Sequence, residues 1–455
     1  MNDLSSSGVD AGAADPSYED LGVLRFITAG SVDDGKSTLI GRLLFDSKAV
    51  LSDQLGALAR AKNRRTVGDE IDLAQLTDGL EAEREQGITI DVAYRYFATV
   101  RRKFIIADTP GHEQYTRNMV TGASTADAAV ILVDATRVSP SAHDDNGHLE
   151  LLAQTKRHSA IVQLLGIRHV IVAINKMDLI DYSEQRFDDI RNAYRALATR
   201  LGLNDVRFVP VSALKGDNIV TASERMPWYG GEPLLAVLET LPVERAAGAL
   251  RFPVQWVARQ DGASVNDFRG YMGKLESGSI VVGDRITVLP AGHRSSVAEI
   301  IAPVVGGTAS VKSASVGSCV TVRLADDIDV SRGDMLVADG APEAAPQVAR
   351  KLDADLCWLD PEPLSTQRKY LLKSTTATVF ARVTAVNYVL DVHTLSHSID
   401  GRPLAGNDIG RVSVTLQKPI ACDTYEASTA TGAFVLIDEA THHTVAAGMI
   451  RAIVG

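Results

Sequence analysis

The chain has 455 residues, of which 45% are hydrophobic and 23% charged, so it can form roughly two or three globular domains and is not largely disordered. Its 46 Lys and Arg residues against 57 Asp and Glu residues give a formal net charge of −11. This acidic balance argues against a dedicated nucleic-acid-binding protein, which normally carries a basic surface. Residues 1–20 lack the pattern of a signal peptide, and no stretch approaches the ~18 apolar residues of a membrane helix. We therefore expect a soluble, cytoplasmic protein with a mobile tail at residues 1–20.

Apolar runs of strand length alternate with helical patterns between residues 21 and 242. Such an alternation is typical of a mostly parallel sheet with helices on both faces. The run Tyr94–Val100 alternates polar and apolar residues instead, as an edge strand does. The predicted strands are Val23–Ala29, Phe104–Ala107, Ala128–Val133, Val170–Ile174 and Phe208–Val211, and the predicted helices are Lys36–Asp46, Asn146–Leu165 and Ser183–Leu201.

Residues 243–455 are rich in short Val, Ile and Thr runs punctuated by Gly and Asp. This pattern of short strands separated by turns predicts antiparallel barrels. The Pro- and Ala-containing segment 341–348 marks a boundary, so we expect one β-barrel at 243–342 and a second at 343–455.

The cysteines and the large aromatic residues of the chain give no signal of a special site. Cys319, Cys357 and Cys422 are widely spaced without a C-x-x-C pair, so we expect reduced thiols that are buried as small hydrophobic groups. Trp228, Tyr229 and Trp256 can lie in the core or at an interface, and we expect the core.

Residues 30–37 (GSVDDGKS) match G-x-x-x-x-G-K-[ST], with a strand pattern before them and a helix pattern after them. In that context backbone N–H groups converge on phosphate oxygens at a helix N-terminus. Lys36 can reach the β- and γ-phosphates, and the Ser37 hydroxyl can ligate Mg²⁺. The expected nucleotide contacts here are Gly30, Ser31, Val32, Asp33, Asp34, Gly35, Lys36, Ser37 and Thr38. The alternative, a glycine-rich turn with an exposed lysine, fits this context poorly.

The sequence Asp108-Thr109-Pro110-Gly111-His112 directly follows a predicted strand. A carboxylate at that strand end lies beside the phosphate loop of a doubly wound sheet, so Asp108 can hold Mg²⁺ through water. Gly111 lets its N–H approach a γ-phosphate.

The sequence Asn175-Lys176-Met177-Asp178 follows another buried strand and predicts a guanine site. The Asp178 carboxylate can accept from guanine N1–H and its 2-amino group, whereas adenine would leave it unpaired. Asn175 can tie the base site to the phosphate loop, and the Lys176 stem can lie along the purine. Backbone N–H groups of Ser212, Ala213 and Leu214 are placed to meet guanine O6. These motifs together favour GTP over ATP.

Taken in order, the motifs resemble the translation-factor class of GTPases, such as elongation factor Tu. In this resemblance residues 85–90 (EQGITI) correspond to the first switch and residues 108–112 to the second. It implies that Thr89 ligates Mg²⁺ with Ser37 and Asp108, and that His112 positions the attacking water. Val32 and Ile88 would form the apolar gate around that water. The implied fold is a P-loop GTPase domain followed by two β-barrel domains.

The phosphate loop departs from that class, which carries His at the positions of Ser31 and Asp34. With that loop, the segments REQGITIDVAYRYF and TGAFVLIDEATHHTVAAGMI are similar to the large, GTPase subunits of bacterial sulfate adenylyltransferase (ATP sulfurylase). This similarity spans residues 21–455. It implies a regulatory GTPase whose hydrolysis of GTP drives ATP + sulfate to adenylyl sulfate + diphosphate.

The same resemblance implies a partner, because the chain contains neither an HxGH motif nor an SGGxDS pyrophosphate loop. We expect adenylyl transfer in a separate small subunit, and adenylyl-sulfate kinase activity, which some relatives carry, in another protein. No nucleic acid or membrane partner is expected. The barrels and switch regions are candidates for the partner surface.

Several alternatives stay open at the level of sequence. A translation factor acting on tRNA or the ribosome shares the domain plan, although it predicts basic barrel surfaces. A further, non-enzymatic hypothesis is a scaffold that binds GTP without hydrolysing it. The sequence reveals no arginine finger, and whether Asp33 helps bind a monovalent cation is undecided.

Overall fold

The computed structural model describes residues 21–49, 73–76, 89, 91–112, 115–140, 149–243, 248–259, 268–340, 344–391, 394 and 396–454. These fall into two compact units. The first contains the described residues up to Gly111 together with 125–155 and 168–241, and the second contains 112–124, 156–167 and the residues from Pro242 onward.

The helices and strands follow in chain order. The α-helices of the described residues are α1 (Lys36–Asp46), α2 (Thr116–Ala123), α3 (Ala153–Leu164), α4 (Glu184–Leu201) and α5 (Leu234–Thr240). The first strands are β1 (Val23–Ala29), β2 (Ala93–Ala98), β3 (Lys103–Asp108), β4 (Ala128–Asp134), β5 (Ser139–Pro140), β6 (Leu149–Glu150), β7 (His169–Asn175) and β8 (Asp205–Pro210). The strands of the next part are β9 (Phe252–Arg259), β10 (Arg269–Lys274), β11 (Ser279–Val281), β12 (Arg285–Leu289), β13 (His293–Val304), β14 (Gly307–Val311), β15 (Ser313–Ser315), β16 (Cys319–Leu324) and β17 (Met335–Ala338). The last are β18 (Gln347–Trp358), β19 (Tyr370–Ser374), β20 (Ala377–Asp391), β21 (Ser396–Ser398), β22 (Ile409–Cys422), β23 (Ala433–Asp438) and β24 (Thr444–Val454).

A six-stranded sheet in the order β2-β3-β1-β4-β7-β8 organises the first unit. Its central strands are parallel, and β2 pairs antiparallel with β3 at the edge. The sequence explains both arrangements. Every residue of β4 is buried, as in a strand covered on both faces, whereas β2 exposes alternate residues. The carboxyl ends of β1, β3, β4 and β7 therefore meet at one edge of the sheet, where ligands bind in such folds.

The helix α4 shows how local sequence sets an element's limits. Ser183 precedes it and accepts a hydrogen bond from the Arg186 N–H, while Gly202 ends it in a left-handed conformation. Both are usual solutions for the unpaired groups at helix ends. One face, including Phe187, Ile190 and Tyr194, is buried, and Trp228 packs on Phe187 with ring centroids 5.3 Å apart.

Two antiparallel barrels lie in the second unit, in agreement with the predicted fold class. In the first, β12-β17-β9-β10-β16-β13 closes through pairing of β13 with β12, and β14 adds to β13. In the second, β19-β23-β24-β18-β22-β20 closes through β19 and β20, and β21 adds to β20. Each has its own apolar core. In the part of the chain that the structure describes, no helix is long and apolar enough to cross a membrane.

The predicted helix Asn146–Leu165 was wrong at its start. The helix begins at Ala153, and Leu149–Glu150 instead pairs antiparallel with Ser139–Pro140. Residues 146–148 lie outside the described residues. The predicted helix is too long because a short strand directly precedes α3, and the sequence pattern does not separate the two.

Two expectations about burial were also wrong. Trp256 is 61% exposed, because the register of β9 and β10 shifts at Met272/Gly273 and two successive residues of β9, Gln255 and Trp256, are exposed. Cys319 is exposed because it begins β16 with its side chain outward. Cys357 and Cys422 are buried as expected, and burial raises the pKa of each thiol to about 12.

Candidate functional site

The predicted phosphate loop lies between the end of β1 and the start of α1. Its backbone turns sharply: Asp33 and Gly35 have φ values of 68° and 94°, in the left-handed region. A Cβ atom on Gly35 would collide with the Asn175 Nδ2, so this position requires glycine for space as well as for conformation. Leu39 N–H donates to the Gly35 carbonyl at the start of α1. The loop thus leads directly into a helix N-terminus, which favours anions.

Lys36 is buried inside this loop. Its Nζ donates to the carbonyl oxygens of Gly30 and Ser31 at 3.1 and 2.8 Å. Desolvation lowers the pKa of Lys36, against the nearby carboxylates of Asp108, Asp34 and Asp33. A buried ammonium that donates to backbone carbonyls and lies near carboxylates is a strong attractor for phosphate oxygens.

The second phosphate motif closes on the same lysine. Asp108 ends β3, is buried, and accepts a hydrogen bond from the Thr28 hydroxyl at 3.1 Å. Gly111 passes so close to Lys36 Nζ and the Gly30 carbonyl that a Cβ atom would collide with both. The structure therefore brings the phosphate loop and residues 108–111 together, and the requirement for glycine at Gly111 comes from this close approach.

Asn175 joins the base motif to the phosphate loop, as the sequence indicated. Its Nδ2 donates to the Asp34 carbonyl at 2.8 Å, and its Oδ1 accepts from the Ala213 N–H at 2.9 Å. Ser212 N–H donates to the Asp217 carbonyl. Of the three N–H groups predicted for guanine O6, two are thus engaged within the protein, and O6 would share the Ala213 N–H or take that of Leu214.

The Lys176 and Asp178 side chains lie at the end of β7. Lys176 has a φ of 64°, and its Nζ lies 2.7 Å from Asp134 Oδ2 at the end of β4. Burial opposes ionisation of Asp134, but hydrogen bonds from Lys176 and Thr136 outweigh it and lower the pKa of this carboxyl. Asp178 is half-buried in a short 3-10 helix, Met177–Ile180. Asp134 therefore holds the lysine stem in place.

The switch residues are only partly covered by the structure. Thr89 is described and half-buried, but Glu85, Gln86, Gly87, Ile88 and Ile90 lie outside the described residues. His112 is exposed and its ring packs edge-on against Tyr115 at 6.2 Å. Val32 is half-buried, as are Ser37 and Thr38 in the first turn of α1. The roles predicted for Thr89, His112 and the Val32–Ile88 gate stay predictions.

Sequence reasoning missed two residues at this edge of the sheet, Asp134 and Arg137. Asp134 ends β4 and Arg137 follows it. Arg137 Nη1 donates to the Val32 carbonyl of the phosphate loop at 2.6 Å. The only signal was position, because β4 lies beside β1 in the sheet and ligands bind beyond the carboxyl ends of such strands.

Two protein-family models match large parts of this chain. Residues 22–243 match the family model described as the elongation factor Tu GTP binding domain, and residues 351–451 match the GTP-eEF1A C-terminal domain-like model. The solved structure of Sup35 complexed with GDP covers 95% of this chain and 94% of its own, at 23% identity and a TM-score of 0.42. The fold, the site and the first model define a P-loop GTPase of the elongation factor Tu type.

Curated relatives give a narrower family. Sulfate adenylyltransferase subunit 1 of Laribacter hongkongensis is 48% identical over 99% of this chain and 89% of its own length. The protein of that name from Chromobacterium violaceum is 50% identical over 96% of this chain and 87% of its own. The bifunctional enzyme NodQ of Rhizobium sp. is 48% identical over 95% of this chain and 65% of its own. The chain belongs to the sulfate adenylyltransferase subunit 1 family.

Proposed function

We propose that this chain is the GTPase subunit of a sulfate adenylyltransferase, in which GTP hydrolysis drives the formation of adenylyl sulfate and diphosphate from ATP and sulfate. The observation that carries the nucleotide assignment is the pair of hydrogen bonds made by Asn175. One goes to the phosphate loop, and the other goes to Ala213, which is predicted to lie near guanine O6. The subunit assignment is supported by 48% identity over 99% of the chain to a protein named as subunit 1.

In this proposal the phosphates lie against the loop from Gly30 to Gly35, with Lys36 on the β- and γ-phosphate oxygens and Thr38 as a further nucleotide contact. Phosphoryl transfer depends mainly on positioning and charge neutralisation. A buried lysine and converging backbone N–H groups supply both. Gly111 N–H contacts the γ-phosphate, and Asp178 accepts from the guanine N1–H and 2-amino group.

The residues at the phosphate edge fit a magnesium ion. Asp108 is a buried carboxylate with one oxygen oriented by Thr28, and Ser37 presents a hydroxyl in the first turn of α1. Oxygen ligands are those that Mg²⁺ prefers. Ser37, Thr89 and, through water, Asp108 would hold it, and the ion would supply charge stabilisation to the phosphate oxygens.

His112 is proposed to orient the attacking water, and Thr89 to report whether the γ-phosphate is present. This rests on the correspondence of residues 85–90 and 108–112 to the two switches. It predicts that loss of the imidazole removes turnover and leaves nucleotide binding, whereas a GTP-binding scaffold would have no turnover to lose.

We propose a small subunit as the partner, because the relatives are named as subunit 1. Adenylyl transfer to sulfate would occur there. Exchanging a phosphoanhydride for a sulfate–phosphate anhydride is uphill, so GTP hydrolysis can offset it only if the switch states and the partner's states are coupled. Adenylyl-sulfate kinase activity would reside in another protein, and we place the complex in the cytoplasm.

The steady-state GTPase rate of the full chain tests this proposal. We expect slow hydrolysis by the chain alone and faster hydrolysis when the small subunit, ATP and sulfate are added. The His112→Ala chain should bind GTP with near-normal affinity and not respond. A full rate without any partner would contradict coupling, and tighter binding of ATP than of GTP would overturn the base-site assignment.

A further inference from the structure

Arg137 lies just beyond the end of β4, in a segment that is fixed at several points. Its N–H donates to the Asp134 carbonyl, and the Ala135 N–H donates to the Asn175 carbonyl. From α4, Arg186 donates to the carbonyl oxygens of Ala135 and Val138. A backbone held in this way presents the Arg137 side chain in one place, as a positioning group requires.

The guanidinium of Arg137 contacts the phosphate loop from outside. Nη1 donates to the Val32 carbonyl at 2.6 Å, and the side chain is 42% exposed. The preceding carbonyls behave differently, because those of Gly30 and Ser31 accept from the buried Lys36. The direction of the carbonyl groups thus changes at Val32. The carbonyls of Gly30 and Ser31 face Lys36, and that of Val32 faces Arg137.

This reversal sets the direction of the next backbone donor. The Val32–Asp33 peptide is trans, so its C=O and N–H point in opposite directions. A carbonyl held outward by Arg137 turns the Asp33 N–H toward the Lys36 side of the loop, where phosphate is expected. Asp33 has a φ of 68°, which is unfavourable for a residue with a Cβ atom and persists only where surrounding contacts impose it.

Asp34 gives Arg137 a second point of attachment. Its side chain is fully buried, Oδ2 accepts from the Ser31 N–H at 2.6 Å, and Oδ1 lies 3.8 Å from Arg137 Nη1. Oδ1 accepts no hydrogen bond from the residues that the structure describes. The carboxylate therefore attracts the guanidinium to the side of the loop on which the Val32 carbonyl lies.

We propose that Arg137 is a positioning residue for GTP hydrolysis. Its guanidinium holds the Val32–Asp33 peptide so that the Asp33 N–H faces the phosphates. The inference rests on the proposed GTPase function and adds a residue that none of the nucleotide motifs contains. A donor fixed before the reaction stabilises charge that develops in the transition state more than charge in the ground state. Arg137 should therefore matter more for hydrolysis than for GTP affinity.

The test compares Arg137→Ala, Arg137→Lys and wild type as full chains, by single-turnover GTP hydrolysis, by affinity for a fluorescent GTP analogue and by melting temperature. We expect Arg137→Ala to lower the hydrolysis rate ~10- to 100-fold, since one fixed donor is weakened rather than deleted. Affinity should change less than about fivefold, and the melting temperature should be unchanged. Arg137→Lys keeps one donor and the charge and should recover most of the rate.

Arg200→Ala, an exposed arginine near the end of α4, is the matched control and should hydrolyse GTP like wild type. A wild-type rate for Arg137→Ala would overturn the inference and leave the GTPase function standing. Equal losses of rate, affinity and melting temperature without recovery by lysine would also overturn it, because they indicate a structural role only. A wild-type chain that neither binds nor hydrolyses GTP would overturn the proposed function itself, and the inference with it.

Discussion

Asn175 donates from its Nδ2 to the backbone carbonyl of Asp34 across 2.8 Å, so one buried side chain joins the end of β7 to the phosphate loop. Its Oδ1 accepts from the Ala213 N–H. The base motif and the phosphate motif are thereby parts of one hydrogen-bonded unit, although they are far apart in the chain.

Replacing Asn175 with alanine should weaken nucleotide binding and stability together. The change leaves the Asp34 carbonyl and the Ala213 N–H without their partner, which costs roughly 2–5 kcal/mol for two buried groups. We expect GDP to dissociate at least about tenfold faster, as measured by displacement of a fluorescent analogue. The exposed Asn192→Ala on α4 is the control, and equal dissociation rates for both variants would contradict the linking role.

Replacing Asp178 with asparagine should change the base that is preferred. Asparagine offers an N–H donor, which mismatches the guanine 2-amino group and suits the 2-oxo group of xanthine. We expect GTP affinity to fall ~100-fold or more and XTP affinity to exceed it, because mismatched buried polar groups discriminate strongly. Competition binding measures both. Asp181→Asn, at an exposed residue of the same turn, should keep the preference for GTP, and unchanged selectivity in Asp178→Asn would contradict the base site.

The second unit contains a buried ion pair, and removing only one of its two charged partners should be costly. Arg251 donates from Nε and Nη2 to the two oxygens of Asp423, both at 2.9 Å, and the two side chains are 9% and 10% exposed. Arg251→Met should destabilise the chain by about 3–5 kcal/mol, because Asp423 then stays buried and charged. Asp327→Ala removes an exposed carboxylate that pairs with Arg269 and should cost less than about 1 kcal/mol.

Urea denaturation of these variants measures the difference. Adding Asp423→Ala to Arg251→Met should recover part of the loss, since the unpaired charge is then removed. A loss in Arg251→Met no larger than that in Asp327→Ala would contradict the structure of this pair.

Asp34 should make stability fall as the pH rises. Burial raises the pKa of this carboxyl from 3.8 to about 6, against the opposing charges of Lys36 and Arg137. Between pH 4 and 6 the folded chain therefore holds more protons than the unfolded chain, so this group's contribution to the unfolding free energy decreases as pH rises, by roughly 3 kcal/mol in all. Asp34→Asn keeps the shape without the titration.

We expect the stability of Asp34→Asn relative to wild type to rise from pH 4.5 to 7.5 in nucleotide-free protein, as measured by urea denaturation. Asp33→Asn, at the exposed neighbouring residue, is the control. A difference between Asp34→Asn and wild type that does not vary with pH would show that the carboxyl of Asp34 does not titrate in this range.

Local patterns were enough to predict most strands and helices of the first unit. The limits of α1 follow from a glycine before it and an apolar face, and the motifs lie at strand ends because parallel strands place them there. Contacts between distant segments were not predictable in this way. Arg137 and Val32 are 105 positions apart, and nothing in the sequence around Arg137 indicates that its guanidinium meets the loop. The exposure of Trp256 depends on a register shift against β10, which is a property of the pair of strands and not of either one.

The central claim is that GTP hydrolysis by this chain drives adenylyl transfer in a partner subunit. The most direct measurement is the amount of adenylyl sulfate formed from ATP and sulfate by the full chain with the small subunit, in the presence of GTP, GDP or a non-hydrolysable GTP analogue. The account predicts that, of these three nucleotides, only GTP raises the amount of adenylyl sulfate above the level reached without guanine nucleotide. GDP should form in proportion to the adenylyl sulfate. The same amount of adenylyl sulfate under all three conditions would contradict it.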